Sequence, residues 1–331
     1  MIRKLSVLIA LIIATHFSVA QLFQKQLENP FSKYSVSTKT CTKLIHSTGS
    51  IIFIPDHAFG LGKGAGIDSV DIFYREIRTP LEMIAHDIPM TFNVMNKRYH
   101  LESSGMFEIW AMYGADTIGI HEDRSIEVRL AVAPQDLDIR TEGYSLKRGA
   151  DNWESYTSRL GFNSIVDDDD LWGSNPVDEE EIIEEDIFFE DEEGTAWVAS
   201  NSGRNVAFQA MEIFDFGFYN YDRIIEDQIY VKIEATFVDE NAEAIKSPVY
   251  IVYDEINSVF EYPAYTWEDQ FSLIKNMPYK LFSVDNDGKI MILKDFPNLN
   301  SAHNQSYTFE LKTNEKVPNT KQELASITGL R

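Results

Sequence analysis

Cysteine and basic residues are scarce in this chain. Cys41 is the single cysteine, so no internal disulfide can form, and a chain of this length can rely on hydrophobic cores instead. A free thiol in an exported protein indicates either intermolecular pairing or a small packed side chain. The 29 Lys and Arg residues are outnumbered by 53 Asp and Glu residues, which gives a formal charge of −24. This charge argues against nucleic acid or an anionic membrane surface as partner, because both require clustered cations.

Long hydrophobic runs are also missing after the N-terminus, where no stretch approaches 18 consecutive apolar residues. The first twenty residues combine two basic residues, the apolar stretch Leu5–Thr15 and the small residues Ser18–Ala20. This is the pattern of a secretory signal peptide, and its apolar part is too short to span a bilayer. We therefore expect a mature chain that begins at Gln21 and is exported to the periplasm, the cell surface or the extracellular space.

Short alternating strands dominate the remaining sequence. Met106–Tyr113 is apolar on both faces except at Glu108, which is typical of a central strand, and Gly105 before it indicates a bulge or a close backbone approach. Further candidates recur about every ten residues, which predicts an all-β fold with two β-sandwich domains. The candidates are Thr42–His46, Gly49–Pro55, Ile67–Glu76, Ile88–Val94, Thr117–Ile120, Ser125–Val132, Ile229–Val238, Pro248–Tyr253, Ser258–Tyr262, Lys280–Val284, Lys289–Leu293 and Tyr307–Leu311, with a hairpin turn at Asp285–Gly288 and a helical turn at Pro80–Ala85.

Several short motifs of the first half resemble a ZU5-like β-sandwich, and they are similar to secreted proteins of Bacteroidetes-type bacteria. The resemblance covers about residues 49–132 and rests on Gly49–Pro55, Asp56-His-Ala-Phe, Val70–Glu76, Ile88-Pro-Met and Glu102-Ser-Ser-Gly-Met-Phe-Glu-Ile. Eukaryotic ZU5 domains are protein-interaction modules, so the resemblance implies a binding role. Some ZU5-containing units cleave themselves at His-Phe-Ser. Here that tripeptide occurs only at His16–Ser18, inside the predicted signal peptide, so self-cleavage is not expected.

The composition changes abruptly between the two predicted sandwiches. Fifteen acidic residues and no Lys or Arg lie between Val166 and Gly194, and blocks of like charge repel one another, so we expect a mobile connector. Its apolar residues either anchor to a partner or pack as a strand against a sandwich. The predicted layout is a signal peptide (1–20), an extended leader (21–48), a ZU5-like sandwich with an extension (49–161), the acidic connector (162–195), an aromatic-rich bridging segment (196–228), an immunoglobulin-like sandwich (229–315) and a polar tail (316–331).

Candidate ligands and nucleophiles form no local motif. The mature histidines lack metal-site spacing, although His57, His86, His100 and His121 could still converge in space. The glycine loop Gly60–Gly66 precedes a strand, whereas a phosphate-binding loop opens a helix, and no Gly-x-Ser-x-Gly elbow is present. Asp285–Asp287 and Asp167–Asp170 resemble only the beginning of a calcium loop. We therefore predict no catalytic residue, no cofactor and no metal site.

Two interpretations are open for Glu108. With Glu102 it could form a catalytic carboxylate pair, or it could pair with Arg75 on a neighbouring strand and fix the strand register. The sequence favours the ion pair, because a sandwich core offers no concave pocket by default.

The leading hypothesis is a secreted, non-enzymatic binding or scaffold protein of the bacterial envelope or cell surface that acts through protein–protein contacts. Its expected partner is another envelope or surface protein, and a basic one could dock on the acidic connector. One alternative is an enzyme that acts on envelope or extracellular polymers, with residues brought together only in the fold. The other is a carbohydrate-binding module, for which five tryptophans could form a stacking platform, namely Trp110, Trp153, Trp172, Trp197 and Trp267.

Overall fold

A computed structural model describes most of the chain outside the N-terminal region and the acidic stretch. The described residues are 27–60, 67–94, 97–132, 141–147, 150, 152–156, 187–190, 196–199, 205–225, 228–253, 255–295 and 305–330. The predicted signal peptide, most of the glycine loop and most of the acidic connector lie outside these ranges. Within them almost all regular structure is strand, which confirms the all-β fold class. No helix in the described ranges is long and apolar enough to cross a membrane.

Most of the secondary-structure elements are short. The strands are β1 (Ser32–Ser37), β2 (Thr42–Ile45), β3 (Ile51–Ile54), β4 (Ser69–Ile77), β5 (Thr91–Val94), β6 (Lys97–Tyr113), β7 (Asp116–Ile118), β8 (Ile126–Val132), β9 (Glu142–Leu146), β10 (Glu154–Ser155), β11 (Ile187–Glu190), β12 (Ala196–Ala199), β13 (Asn205–Ile213), β14 (Gly217–Ile224), β15 (Tyr230–Val238), β16 (Val249–Tyr253), β17 (Ser258–Tyr262), β18 (Ser272–Ile274), β19 (Tyr279–Val284), β20 (Ile290–Leu293) and β21 (Gln305–Asn314). The helices are α1 (Pro80–Ala85), α2 (Lys321–Thr328) and a 3-10 turn at Ala264–Thr266.

The chain divides into two compact units, and neither is continuous in sequence. The first unit consists of Pro30–Ile77 and Ser103–Arg223, and the second consists of Arg78–Glu102 and Ile224–Arg331 with the residues up to Asn29. Arg78–Glu102, which the sequence analysis included in 49–161, thus belongs to the second unit. Two hydrogen bonds connect this segment to the rest of the second unit. Ile225 N–H donates to the His100 carbonyl, and the Ser258 hydroxyl donates to the Leu101 carbonyl.

The first unit is a two-layer β-sandwich. One sheet has the strand order β1-β4-β6-β14-β9-β10, and the other has the order β11-β12-β13-β8-β3-β2. Their facing side chains form one hydrophobic core, to which the first sheet contributes Tyr74, Phe107 and Ile109 and the second contributes Ile52 and Val128. Phe107 and Ile109 lie on the same face of β6, as the alternation along the strand predicts.

Gly105 lies where β6 approaches the opposite sheet. Its φ is +149°, and a Cβ atom at this position would lie only 2.8 Å from Leu130 Cδ2 on β8. Glycine is therefore required both by the backbone conformation and by the space available. This confirms the close backbone approach that the sequence predicts.

The predicted leader supplies two strands of the sandwich. The strand expected at Thr42–His46 is confirmed as β2, which pairs with β3, and β1 pairs with β4. The sequence analysis gave no strand at β1. The reason is that β1 ends its sheet among the described residues and that Val36 is its one buried residue, so its hydrophobic pattern is weak.

Four residues of the predicted acidic connector form an edge strand of the same unit. The backbone of β11 pairs with β12 in antiparallel register, and β12 pairs with β13. The flanking strands β10 and β12 both belong to the first unit, so the acidic stretch leaves and re-enters one unit. The mobility expected for the rest of the connector concerns residues outside the described ranges.

The second unit is built mainly from one curled sheet. Its strand order is β17-β16-β19-β20-β21-β15-β18, and β15 pairs in parallel with β21. The two end strands meet, because the Tyr262 hydroxyl on β17 donates to the Ser272 carbonyl on β18. The enclosed core contains Phe237, Phe260 and Phe309. The immunoglobulin-like class of 229–315 stays a prediction.

Capping residues define the helices of the second unit. The Thr79 hydroxyl accepts the Glu82 N–H, and Pro80 occupies the first turn of α1, as expected for a helix start. The sequence analysis read 316–331 as a polar tail, whereas the structure contains α2 there. Thr320 caps the start of α2, and Leu324 on one face is fully buried.

Candidate functional site

Arg75 and Glu108 lie opposite each other on β4 and β6 and form a buried ion pair. Arg75 Nε and Nη2 are each 2.6 Å from Glu108 Oε2, and Trp110 Nε1 donates to Glu108 Oε1 at 2.6 Å. The guanidinium also lies over the Phe31 ring, 4.2 Å from its centroid. The predicted pairing is confirmed. Since both carboxylate oxygens are engaged in structural contacts, the geometry argues against the catalytic pair of Glu102 and Glu108.

A second polar group lies on the inner face of the same strands. Ser32 on β1 is opposite Tyr74 on β4, and Glu76 lies on the same face two residues further along. The turn between β2 and β3 brings the remaining side chains to this face, and it is closed by hydrogen bonds between the backbones of His46 and Ser50. We call this group the serine–histidine cluster; it consists of Ser32, His46, Thr48, Tyr74 and Glu76.

The distances in the cluster define a chain of hydrogen bonds. Ser32 Oγ is 3.1 Å from His46 Nε2. The other ring nitrogen, Nδ1, is 2.9 Å from Thr48 Oγ1 and 3.5 Å from Glu76 Oε1. The hydroxyls of Thr48 and Tyr74 both donate to Glu76 Oε1, at 2.8 and 2.9 Å. The Glu76 side chain is 3% exposed and that of His46 is 10% exposed, whereas Ser32 is half-buried.

These contacts select one tautomer of His46. A carboxylate only accepts hydrogen bonds, and Thr48 Oγ1 is closer to Glu76 Oε1 (2.8 Å) than to Ser50 Oγ (3.4 Å), so the single Thr48 hydroxyl proton points to Glu76. The Thr48 oxygen then accepts from His46 Nδ1. Nδ1 therefore carries the proton of the neutral ring. The competing contact from the Thr48 backbone N–H to Nδ1 is long, at 3.5 Å. Nε2 is left with its lone pair directed at Ser32.

Sequence reasoning found only part of this cluster. It included His46 and Glu76 only as the last residues of two predicted strands, and it did not select Ser32 or Thr48 as site residues. Ser32 and Glu76 are far apart in sequence and meet only because β1 pairs with β4. No motif at fixed spacing could have revealed the arrangement.

In the second unit, the carboxyl group of Glu261 has a shifted pKa. Burial and the nearby Asp87 carboxylate raise the pKa of Glu261 to about 7, against an opposing effect of Arg98. On the adjacent segment His100 stacks on Phe260 with ring centroids 3.6 Å apart, and burial together with the Arg98 charge lowers the pKa of His100 to about 3. The imidazole is therefore neutral at physiological pH.

Over the part of the chain that the structure describes, no three His, Cys, Asp or Glu side chains are grouped so as to hold a metal ion. Asp285 accepts the N–H groups of Asp287 and Lys289, so its carboxylate closes the β19–β20 hairpin turn that the sequence predicts. Asp167–Asp170 and His303 lie outside the described residues.

The tryptophans with described side chains do not form an exposed row. Trp153 and Trp267 are buried, and the Trp267 indole donates to the Tyr262 carbonyl. Trp110 is half-buried and donates to Glu108. The side chains of Trp172 and Trp197 lie outside the described set. Cys41 is an exposed free thiol.

Comparisons of the chain with models of protein families, with curated proteins and with solved structures gave no match.

Proposed function

We propose that the protein is an exported binding or scaffold protein of the bacterial envelope or cell surface, and that it acts through protein–protein contacts. Export is supported by the first twenty residues, in which basic residues are followed by an apolar stretch and then by small residues. A binding role is supported by the ZU5-like motifs of the first half. The observation that carries the proposal is the position of β11 at the end of a sheet.

β11 lies at the end of its sheet among the described residues, within a stretch of strong negative charge. It is the terminal strand of its six-stranded sheet among the described residues, so one side of its backbone faces away from β12. In sequence it is flanked by Glu184–Asp186 and Asp191–Glu193, with no Lys or Arg nearby. An edge strand binds an extended segment through backbone hydrogen bonds, and flanking charges select the charge of that segment.

The partner that fits this edge is a basic extended segment of another envelope or surface protein. Fifteen acidic residues within one stretch attract cations over the screening length of about 8 Å at physiological salt. Binding should therefore weaken as salt rises.

Capture from the native host with matched charge variants tests this proposal. Wild-type protein and the triple variant Glu184→Gln/Glu185→Gln/Asp186→Asn are used as baits, and bound proteins are identified by mass spectrometry. The control variant Asp116→Asn/Glu122→Gln/Asp123→Asn removes the same charge from exposed positions of the first unit.

The expected result is a partner with a basic segment that binds wild type and the control and is lost from the connector variant. Replacement of Phe188 by proline should weaken the same partner, because proline cannot complete strand pairing. Equal capture by all variants would refute the assignment of the edge strand.

A further inference from the structure

We propose that Ser32 is a nucleophile activated by His46, and that the serine–histidine cluster cleaves short-chain carboxylic esters. This activity goes beyond the binding role, which does not depend on it. The proposal rests on the order of the groups in the cluster: a hydroxyl, an imidazole and a buried carboxylate, connected by hydrogen bonds.

The geometry matches what activation of a hydroxyl requires. A base must lie within about 2.6–3.2 Å of the nucleophile, and a third group must orient the base. Ser32 Oγ lies 3.1 Å from His46 Nε2, inside this range. The third group is Glu76, which is connected to Nδ1 through the Thr48 hydroxyl: Thr48 Oγ1 is 2.9 Å from Nδ1 and 2.8 Å from Glu76 Oε1, whereas the direct distance from Glu76 to Nδ1 is long, at 3.5 Å.

The tautomer of His46 is the one that the reaction needs. Because Nδ1 donates to Thr48, Nε2 is unprotonated and can accept the Ser32 proton. When Nε2 takes that proton, the ring becomes positively charged. The Glu76 carboxylate, 3% exposed, lies where it stabilises this charge with little screening by water.

The fold fixes the groups and leaves the nucleophile accessible. Ser32 and Glu76 are held on paired strands, and the Tyr74 hydroxyl fixes the Glu76 carboxylate from a second side. Ser32 is half-buried and lies at the beginning of β1, the last strand of its sheet among the described residues. This position favours a short ester over an extended polymer.

The chemical steps balance without any further reactant than water. Ser32 Oγ attacks the ester carbonyl carbon as its proton passes to His46 Nε2, and the tetrahedral adduct expels the alcohol, which takes that proton. Water then attacks the acyl-serine, gives a proton to Nε2 and releases the carboxylic acid as Ser32 Oγ regains its proton. The net reaction converts an ester and water into an acid and an alcohol.

A fluorophosphonate probe on the full-length protein tests the proposal, with p-nitrophenyl acetate as substrate in parallel. The probe should label one residue, located to Ser32 by peptide mass spectrometry, and should abolish ester hydrolysis. Ser32→Ala should remove labelling and hydrolysis. Ser35→Ala, an exposed serine on the same strand, should leave both unchanged.

Replacement of His46, the proposed base, tests whether the cluster has a catalytic or only a structural role. His46→Gln should slow labelling about 100-fold or more, the usual contribution of a general base, while circular dichroism shows a folded protein. If His46→Gln does not fold, the wild-type, Ser32→Ala and Ser35→Ala results decide. Absence of labelling in folded wild type, labelling that persists in Ser32→Ala, or an unchanged rate in folded His46→Gln would overturn the proposal.

Discussion

Replacement of Glu108 by alanine removes the carboxylate from the buried pair with Arg75. The two side chains are 7% and 9% exposed, and the carboxylate accepts from Arg75 on one oxygen and from Trp110 on the other. A guanidinium cannot shed its proton inside a protein, so Arg75 stays charged in the variant.

The expected loss follows from this burial. Breaking a buried pair by removal of one partner costs about 3–5 kcal/mol, because an uncompensated charge remains inside. The contact of the guanidinium with the Phe31 ring is present in both wild type and variant, so it cancels in the difference. We therefore expect Glu108→Ala to lower the free energy of unfolding by about 3–5 kcal/mol.

Urea denaturation followed by circular dichroism measures this loss against two controls. Glu154→Ala breaks the exposed pair with Lys147 and should cost about 1 kcal/mol or less. The double variant Arg75→Met/Glu108→Leu removes both charges and should recover most of the stability.

A Glu108→Ala variant that loses no more than the Glu154→Ala control would refute the reasoning. It would mean that the guanidinium reaches water or another acceptor at little cost. Failure of the double variant to recover would instead show that the lost stability comes from packing rather than from the charge that faced Glu108.

Three further predictions test other parts of the structure. Because Glu261 binds a proton more tightly in the folded state, with a pKa of about 7 against 4.5 in an exposed chain, the free energy of unfolding should fall as pH rises from 4.5 to 7. Glu261→Gln should lack this fall in urea titrations; an identical pH profile would contradict the assignment. Gly105→Ala should cost about 2 kcal/mol or more in thermal unfolding because its Cβ would meet Leu130, whereas Gly119→Ala, with open space around it, should be near neutral; equal effects would contradict the close approach. Proteolytic cleavage within 167–186 should leave fragments that co-elute in size-exclusion chromatography, because both flanks belong to the first unit; separation of the fragments would show otherwise.

The strands could be predicted from the sequence where buried residues recur in a regular local pattern. β4 and β6 alternate or are apolar on both faces, and the Arg75–Glu108 pairing followed from their expected neighbourhood. β17 was predicted with the bounds that the structure has. The close backbone approach at Gly105 could be predicted for the same reason, because it follows from the local sequence.

The serine–histidine cluster could not be predicted, because its members come from β1, β4 and the β2–β3 turn. An edge strand such as β1 carries few apolar residues and gives a weak signal. α2 was missed because a single face of a short helix is buried, and Leu324 alone is a poor signal in a polar segment. The assignment of Arg78–Glu102 to the second unit depends on contacts with residues that come much later in the sequence.

The split of the second unit over two segments sets an order of events during synthesis. α1 leaves the ribosome with buried residues such as Met83 and Ile84, while β17, the strand that packs beside it, is still to be made. All of Ser103–Arg223 is synthesised in between. The apolar residues of Pro80–Ala85 therefore stay exposed while Ser103–Arg223 is synthesised, and such delayed, long-range closure slows folding.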